Sequence, residues 1–100
     1  MACRVYIAGK VSGTDDYKER FGEAEQYLKS LGLEAVNPVD HTYDTWDYKM
    51  LFDRGMNMLR SCKMIALLPG FDDSPGARAE LAYAKAVGMP VFDLNKRLVL

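Results

Sequence analysis

Short apolar runs alternate with segments of helical periodicity along the whole chain, and that alternation admits few folds. Residues 3–8 (CRVYIA) read as a buried strand, ended by Gly9. Tyr17, Phe21, Ala24, Leu28 and Leu31 then recur at helical spacing. Thr14 is placed to cap that helix, Asp15 and Asp16 lie in its first turn, and Gly32 stops it. Residues 33–36 form a second strand, halted by Asn37-Pro38, and residues 39–45 a polar loop. A second helix is expected over 46–62, with Tyr48, Leu51, Phe52, Leu59 and Cys62 on its apolar stripe and Gly55 in the middle. Residues 64–68 are a third strand and 69–73 a turn. Ser74-Pro75 is a strong helix start, a capping hydroxyl followed by proline at the first helical position. That helix runs to Val87, Gly88 ends it, and residues 90–93 supply a fourth strand. Residues 96–100 fit either a short strand or a tail.

The order β-α-β-α-β-α-β calls for right-handed crossovers and a parallel sheet covered by helices on both faces. The expected architecture is a three-layer α/β domain, Rossmann- or flavodoxin-like, with a sheet of four to five strands. At 100 residues there is room for one core, so residues 1–100 are read as one domain. Ligands of such sheets bind beyond the carboxyl ends of the strands, where the strand order reverses. Segments 9–14, 37–41 and 69–76 all lie there, and the site should be built from them.

Charge and composition narrow the partners. Thirteen basic against fourteen acidic residues give a net charge of −1, which argues against a nucleic-acid polymer as partner. The longest apolar runs, such as 64–68, are far too short to cross a bilayer. The first residues show no charged leader with an apolar stretch and cleavage site, so a cytoplasmic location is expected. Two cysteines 59 positions apart make neither a disulfide framework nor a metal knuckle, and a single histidine leaves little for zinc.

Three places can carry chemistry. The loop Ala8-Gly9-Lys10-Val11-Ser12-Gly13-Thr14 leads a strand into a helix, where glycines let backbone amides approach an anion. It lacks the endings of the common phosphate-binding fingerprints, so a plain tight turn explains it about as well. In the third helix, Ala77, Leu81 and Ala84 are expected at the centre of the buried face, flanked by Tyr83 and Val87. Arg78, Ala79, Ala82 and Lys85 point outward. Counting 100° per residue puts Glu80 inside the apolar sector. A carboxylate there is costly unless paired or useful, and partial burial raises its pKa. The bland alternative is a border glutamate that reaches solvent or pairs with Arg78 or Arg54. Ser74 most simply caps the helix, yet its hydroxyl and the free amides of the first turn, Gly76 included, can also hold a phosphate. Lys10 and Asn37 complete the candidate ligand contacts. His41 reads as solvated, and Tyr43, Trp46 and Tyr48 as packing aromatics that could stack on a base. Met50, Met56, Met58 and Met64 read as core or subunit-interface filler, and Cys62 as a small buried hydrophobe.

Tyr6-Ile7-Ala8-Gly9 on the first strand and Leu67-Leu68-Pro69-Gly70-Phe71-x-x-Ser74-x-Gly76-Ala77-x-x-Glu80 later resemble the nucleoside 2-deoxyribosyltransferase-like superfamily. Within it the chain is most similar to the small proteins common in phages and prophages, the DUF4406 group. The resemblance covers nearly the whole chain. It implies cleavage or exchange of the N-glycosidic bond of a 2′-deoxynucleoside or its 5′-monophosphate, with no metal or organic cofactor. Glu80 matches the nucleophile that forms a glycosyl-enzyme intermediate, and Ser74 and Gly76 match the turn that binds the phosphate or 5′-hydroxyl. Tyr6 and Gly9, with Val11, Ser12 and Gly13, match the loop over base and sugar. Where relatives carry a sugar-contacting Asp before the third strand this chain has Gly55, and where they carry a second Asp it has Lys63. A serine at 74, in place of the carboxylate of some relatives, tilts the substrate toward a monophosphate. The alternative is a non-catalytic nucleotide-binding protein on the same scaffold, which would use the space at Gly55 for ligand. Relatives complete their sites with a neighbouring subunit, so a homodimer or higher oligomer is expected.

Overall fold

Strand residues alternate between two apolar faces, and each face needs its own cover. In the computed structural model, which describes residues 3–11, 15–39 and 47–94 (and only the backbone of Tyr48), both covers are present. The elements run β1 (Arg4–Ala8), α1 (Tyr17–Ser30), β2 (Glu34–Val36), α2 (Tyr48–Arg60), β3 (Met64–Leu67), a 3-10 turn (Phe71–Asp73), α3 (Pro75–Ala86) and β4 (Val91–Asp93). The described sheet has four strands in the order β2-β1-β3-β4, all parallel. Val5 and Ile7 of β1, with Ala66 and Leu68, pack with Phe21, Ala24 and Leu28 of α1. Tyr6 and Ala8, with Ile65 and Leu67 of β3, face the other way and pack with Leu59 of α2 and Ala77 and Ala84 of α3. The fold is the three-layer parallel α/β architecture expected, and residues 96–100 lie outside the described chain.

The order reverses at β1. The chain leaves it toward β2 through α1, then returns across it through α2 to β3 on the other side. The ends of β1 and β3 are in register, with Tyr6 beside Ile65 and Ala8 beside Leu67, so the loops after them open at one level.

Several boundaries differ from the sequence expectation for local reasons. α1 begins at Tyr17 after Asp16, whose side chain makes no cap hydrogen bond and instead pairs with Arg20 one turn on, 3.3 Å away. Thr14 lies outside the described residues. α2 begins after Asp47, whose carboxylate accepts the Met50 N–H at 2.9 Å, and it stops at Arg60. β3 ends at Leu67, and β4 begins at Val91 rather than Pro90. Val87 is not a flank of the α3 stripe. It is the exposed residue just past the helix, and the buried line is Ala77, Glu80 and Ala84, with Leu81 only half-buried.

Candidate active site

The turn that carries the chain from β3 into α3 is set by residue choice. Gly70 takes a left-handed conformation (φ 84°) that a side chain would resist, and Phe71–Asp73 then wind a single 3-10 turn. Ser74 comes next in extended geometry, and its hydroxyl oxygen accepts the Ala77 N–H at 3.2 Å. Proline at 75 continues the helix with no donor to leave unsatisfied. Ser74 is therefore the cap of α3. A hydroxyl that accepts through a lone pair still has its own hydrogen to donate, so capping leaves it free to bind an anion.

Glu80 lies a turn and a half into α3, on the face turned to the sheet. It is 7% exposed and is the one buried charged residue among those described. The Tyr6 hydroxyl, 2% exposed on β1, donates a hydrogen bond to Glu80 Oε2 at 2.6 Å. The outlets to solvent or to Arg78 and Arg54 are not taken: among the described residues Glu80 forms no ion pair. Burial pushes its carboxyl up to about 7, against the opposing pull of the Tyr6 hydrogen bond. A carboxylic acid that can be charged or neutral near pH 7 thus stands at a fixed position beneath the switch point of the sheet.

Above it opens a cavity of about 350 Å³, within the size range of small-molecule sites. Tyr6, Gly9, Lys10 and Val11 line it from β1 and its loop, and Ser74, Gly76 and Glu80 from α3. The structure thus brings seven of the sequence-predicted residues to one cavity. Ser12 and Gly13 lie outside the described residues, as do His41, Tyr43 and Trp46. Gly9 also answers a packing need, because a Cβ there would lie 2.7 Å from Leu68 Cδ1.

Two of the predicted residues are not among those that line the cavity. Asn37 does not face the cavity: its amide donates to Glu25 Oε1 at 3.1 Å, and its carbonyl oxygen accepts the Val39 N–H at 3.0 Å. That turn instead presents Pro38 and Val39 to the cavity. Gly55 offers no ligand space either. A Cβ at 55 would sit 2.7 Å from the Tyr6 hydroxyl oxygen and 2.9 Å from Glu80 Oε2, so the room is filled from within.

Sequence reasoning also missed part of the wall and its supports. Leu51 and Phe52 of α2 and Phe21 of α1 give the cavity an apolar side suited to a flat ring or sugar face. Asp73 stands at the mouth, 3.9 Å from Lys10 Nζ. Arg20 reaches from α1 to the carbonyl of Lys10 at 2.9 Å and toward that of Pro69 at 3.4 Å, tying together the loops after β1 and β3. Arg54 of α2 donates to the carbonyl of Pro38 at 2.7 Å and ties in the third loop. Met56 and Met58 pack against the core, whereas Met50 is 46% exposed.

The family model described as Domain of unknown function (DUF4406) matches residues 3–93. The chain belongs to the DUF4406 family. No curated protein matches it in sequence. Three solved structures share the fold of this DUF4406 protein. A 2-deoxyribosyltransferase from Bacillus psychrosaccharolyticus matches with a TM-score of 0.66 and 20% identity, over 90% of this chain and 70% of that one. A CMP N-glycosidase from Clostridium botulinum gives 0.64 and 21%, over 90% and 66%. A 2-deoxyribosyltransferase from Leishmania mexicana gives 0.69 and 21%, over 91% and 63%. This chain therefore spans about two thirds of the length of those proteins. Its fold is that of the nucleoside 2-deoxyribosyltransferases.

Among the described residues, no group of three or more His, Cys, Asp or Glu converges to hold a metal ion. No described helix is long and apolar enough to cross a membrane.

Proposed function

We propose that this protein breaks the N-glycosidic bond of a nucleoside 5′-monophosphate, with Glu80 as the nucleophile. The observation that carries the reading is the buried Glu80 carboxyl, held by the Tyr6 hydroxyl at the base of a cavity whose rim is the N-terminus of α3. A carboxylate oxygen attacks the anomeric carbon as the C–N bond breaks and the bonding pair leaves with the base nitrogen, which takes up a proton from solvent. Water or a second base then attacks the same carbon, gives up a proton to solvent and releases the Glu80 carboxylate. The sugar passes through an oxocarbenium-like state, which one well-placed anion stabilises without a metal. The similarity in fold to two deoxyribosyltransferases and a CMP N-glycosidase supports this class of chemistry.

The phosphate is assigned to the cap of α3. There the Ser74 hydroxyl can donate, the Gly76 N–H has no acceptor within the helix, and the helix dipole favours an anion. Lys10 supplies the cation at the rim, and Asp73 opposes it. The apolar side made by Leu51 and Phe52 receives the base or the sugar face. The protein acts in the cytoplasm on a small molecule, as a homodimer or larger oligomer, with Met50 on the exposed side of α2 available for the contact between copies.

The test is incubation with a panel of ribo- and deoxynucleosides and their 5′-monophosphates, then chromatography for free base. Release of a base from at least one monophosphate, faster than from its nucleoside, is the expected result. Tight binding of a monophosphate with no base released would overturn it and leave a nucleotide-binding protein.

A further inference from the structure

Gly55 lies in the middle of α2, where a glycine weakens the helix and alanine would ordinarily strengthen it. It is buried, its backbone is ordinary right-handed helix, and no turn or left-handed conformation calls for glycine. The reason for the residue is outside the helix. A Cβ would stand 2.7 Å from the Tyr6 hydroxyl oxygen and 2.9 Å from Glu80 Oε2, whereas the Tyr6 ring carbon that bears the hydroxyl is 3.8 Å away, an ordinary contact. The clash is thus with the two atoms that share the 2.6 Å hydrogen bond, and with nothing else nearby.

We infer that Gly55 is a positioning residue for the site: its missing side chain lets Tyr6 and Glu80 meet, and a side chain there breaks up that pair. The inference deepens the proposed reading of Glu80 and rests on it for its catalytic meaning. The tyrosine ring is fixed, being 2% exposed and packed in the core between the sheet and α2 and α3. The carboxylate, at the end of a flexible chain with the cavity beside it, can yield, whereas the tyrosine oxygen can move only with its ring or with α2. An alanine at 55 should therefore break that hydrogen bond and cost stability through its contact with the tyrosine oxygen.

The experiment is a cycle of Gly55→Ala, Tyr6→Phe and the double variant, read on the protein alone. Glu80 is tracked by NMR of its labelled side-chain carboxyl across pH, and stability by urea unfolding. Loss of the Tyr6 hydrogen bond removes an interaction that favours the charged form, so Tyr6→Phe should move the Glu80 titration upward, and Gly55→Ala should move it away from the wild-type position. The two shifts should not add in the double variant, because the bond can be lost only once. Removing the hydroxyl also removes the closer clash, so Gly55→Ala should cost less stability in the Tyr6→Phe background than in the wild type. A Glu80 titration unmoved by Gly55→Ala, or shifts that simply add, would overturn the inference and leave Gly55 as a packing residue. None of these readings needs substrate turnover. An inactive wild type would count against the proposed function, and an unmoved titration against Gly55.

Discussion

Replacing Glu80 by glutamine removes a charge from the least solvated carboxyl in the described protein and keeps its shape. In the unfolded chain a glutamate titrates near 4.5, and in the folded protein burial pushes Glu80 up to about 7. Between those values the folded state holds a proton that the unfolded state has released. Stability from this group is therefore highest at pH below 4.5 and falls as pH rises to 7, after which the cost of burying the charge is constant. A separation of that size corresponds to about 3 kcal/mol, at roughly 1.4 kcal/mol per pKa unit. The glutamine side chain cannot ionise, so its variant lacks this slope. Its amide can still accept from the Tyr6 hydroxyl, and any penalty for an unpaired N–H is the same at every pH. Urea unfolding of both proteins from pH 4.5 to 8 isolates the effect, because the other groups contribute equally to each. The variant should gain about 3 kcal/mol relative to wild type between the two ends of that range. Two stability curves that run parallel across the range would refute the reasoning and place the carboxyl in contact with solvent.

The remaining predictions concern the rim and its supports. Ser74→Asp should weaken binding of a 5′-monophosphate by at least about tenfold while sparing the nucleoside, since a charge-assisted hydrogen bond worth ~1.5–3 kcal/mol gives way to repulsion. Calorimetry showing equal affinities for both ligands, before and after the change, would leave Ser74 as a cap and nothing more. Asp73→Asn should act in the opposite direction, releasing Lys10 from its 3.9 Å partner and tightening the monophosphate with a steeper salt dependence. Arg20→Ala should raise KM more than it lowers kcat, because it loosens the loops after β1 and β3 without touching Glu80. A fall in kcat alone would contradict that role. Light scattering at micromolar concentration should give at least the mass of a dimer, and a monomer mass would remove the assembly from the account.

Element type and helical period were the features legible in the sequence. The apolar runs 3–8 and 64–68 read as buried strands, and both of their faces are covered. The 100° count placed Glu80 inside the stripe of α3, and Ser74-Pro75 marked the start of that helix. The same count set Leu81 at the centre and Val87 at the flank. It could not weigh the closeness of α3 to the sheet, which leaves room for Ala77 and Ala84 and turns the larger Leu81 aside. Contacts of a side chain with a distant partner carry no periodic signature. Tyr6 meets Glu80 across 74 residues, and Gly55 reads as a helix weakness until the atoms it makes room for are seen. Asn37 looked like a ligand contact because of its place after β2, yet its amide donates to the nearby Glu25 and accepts the Val39 N–H. The ties of Arg20 and Arg54 to the loops escaped notice because they run to backbone carbonyls, which every residue possesses.

The central claim is that Glu80 bonds covalently to the sugar. It is tested most directly by quenching the protein in acid while it acts on a saturating 5′-monophosphate and weighing the intact chain and its fragments. The wild type should carry an added mass equal to the sugar phosphate less one water, on the fragment that holds Glu80. The Glu80→Gln variant should carry none and release base at least ~10³-fold more slowly. Base release undiminished in Glu80→Gln, with no added mass on either protein, would contradict the account.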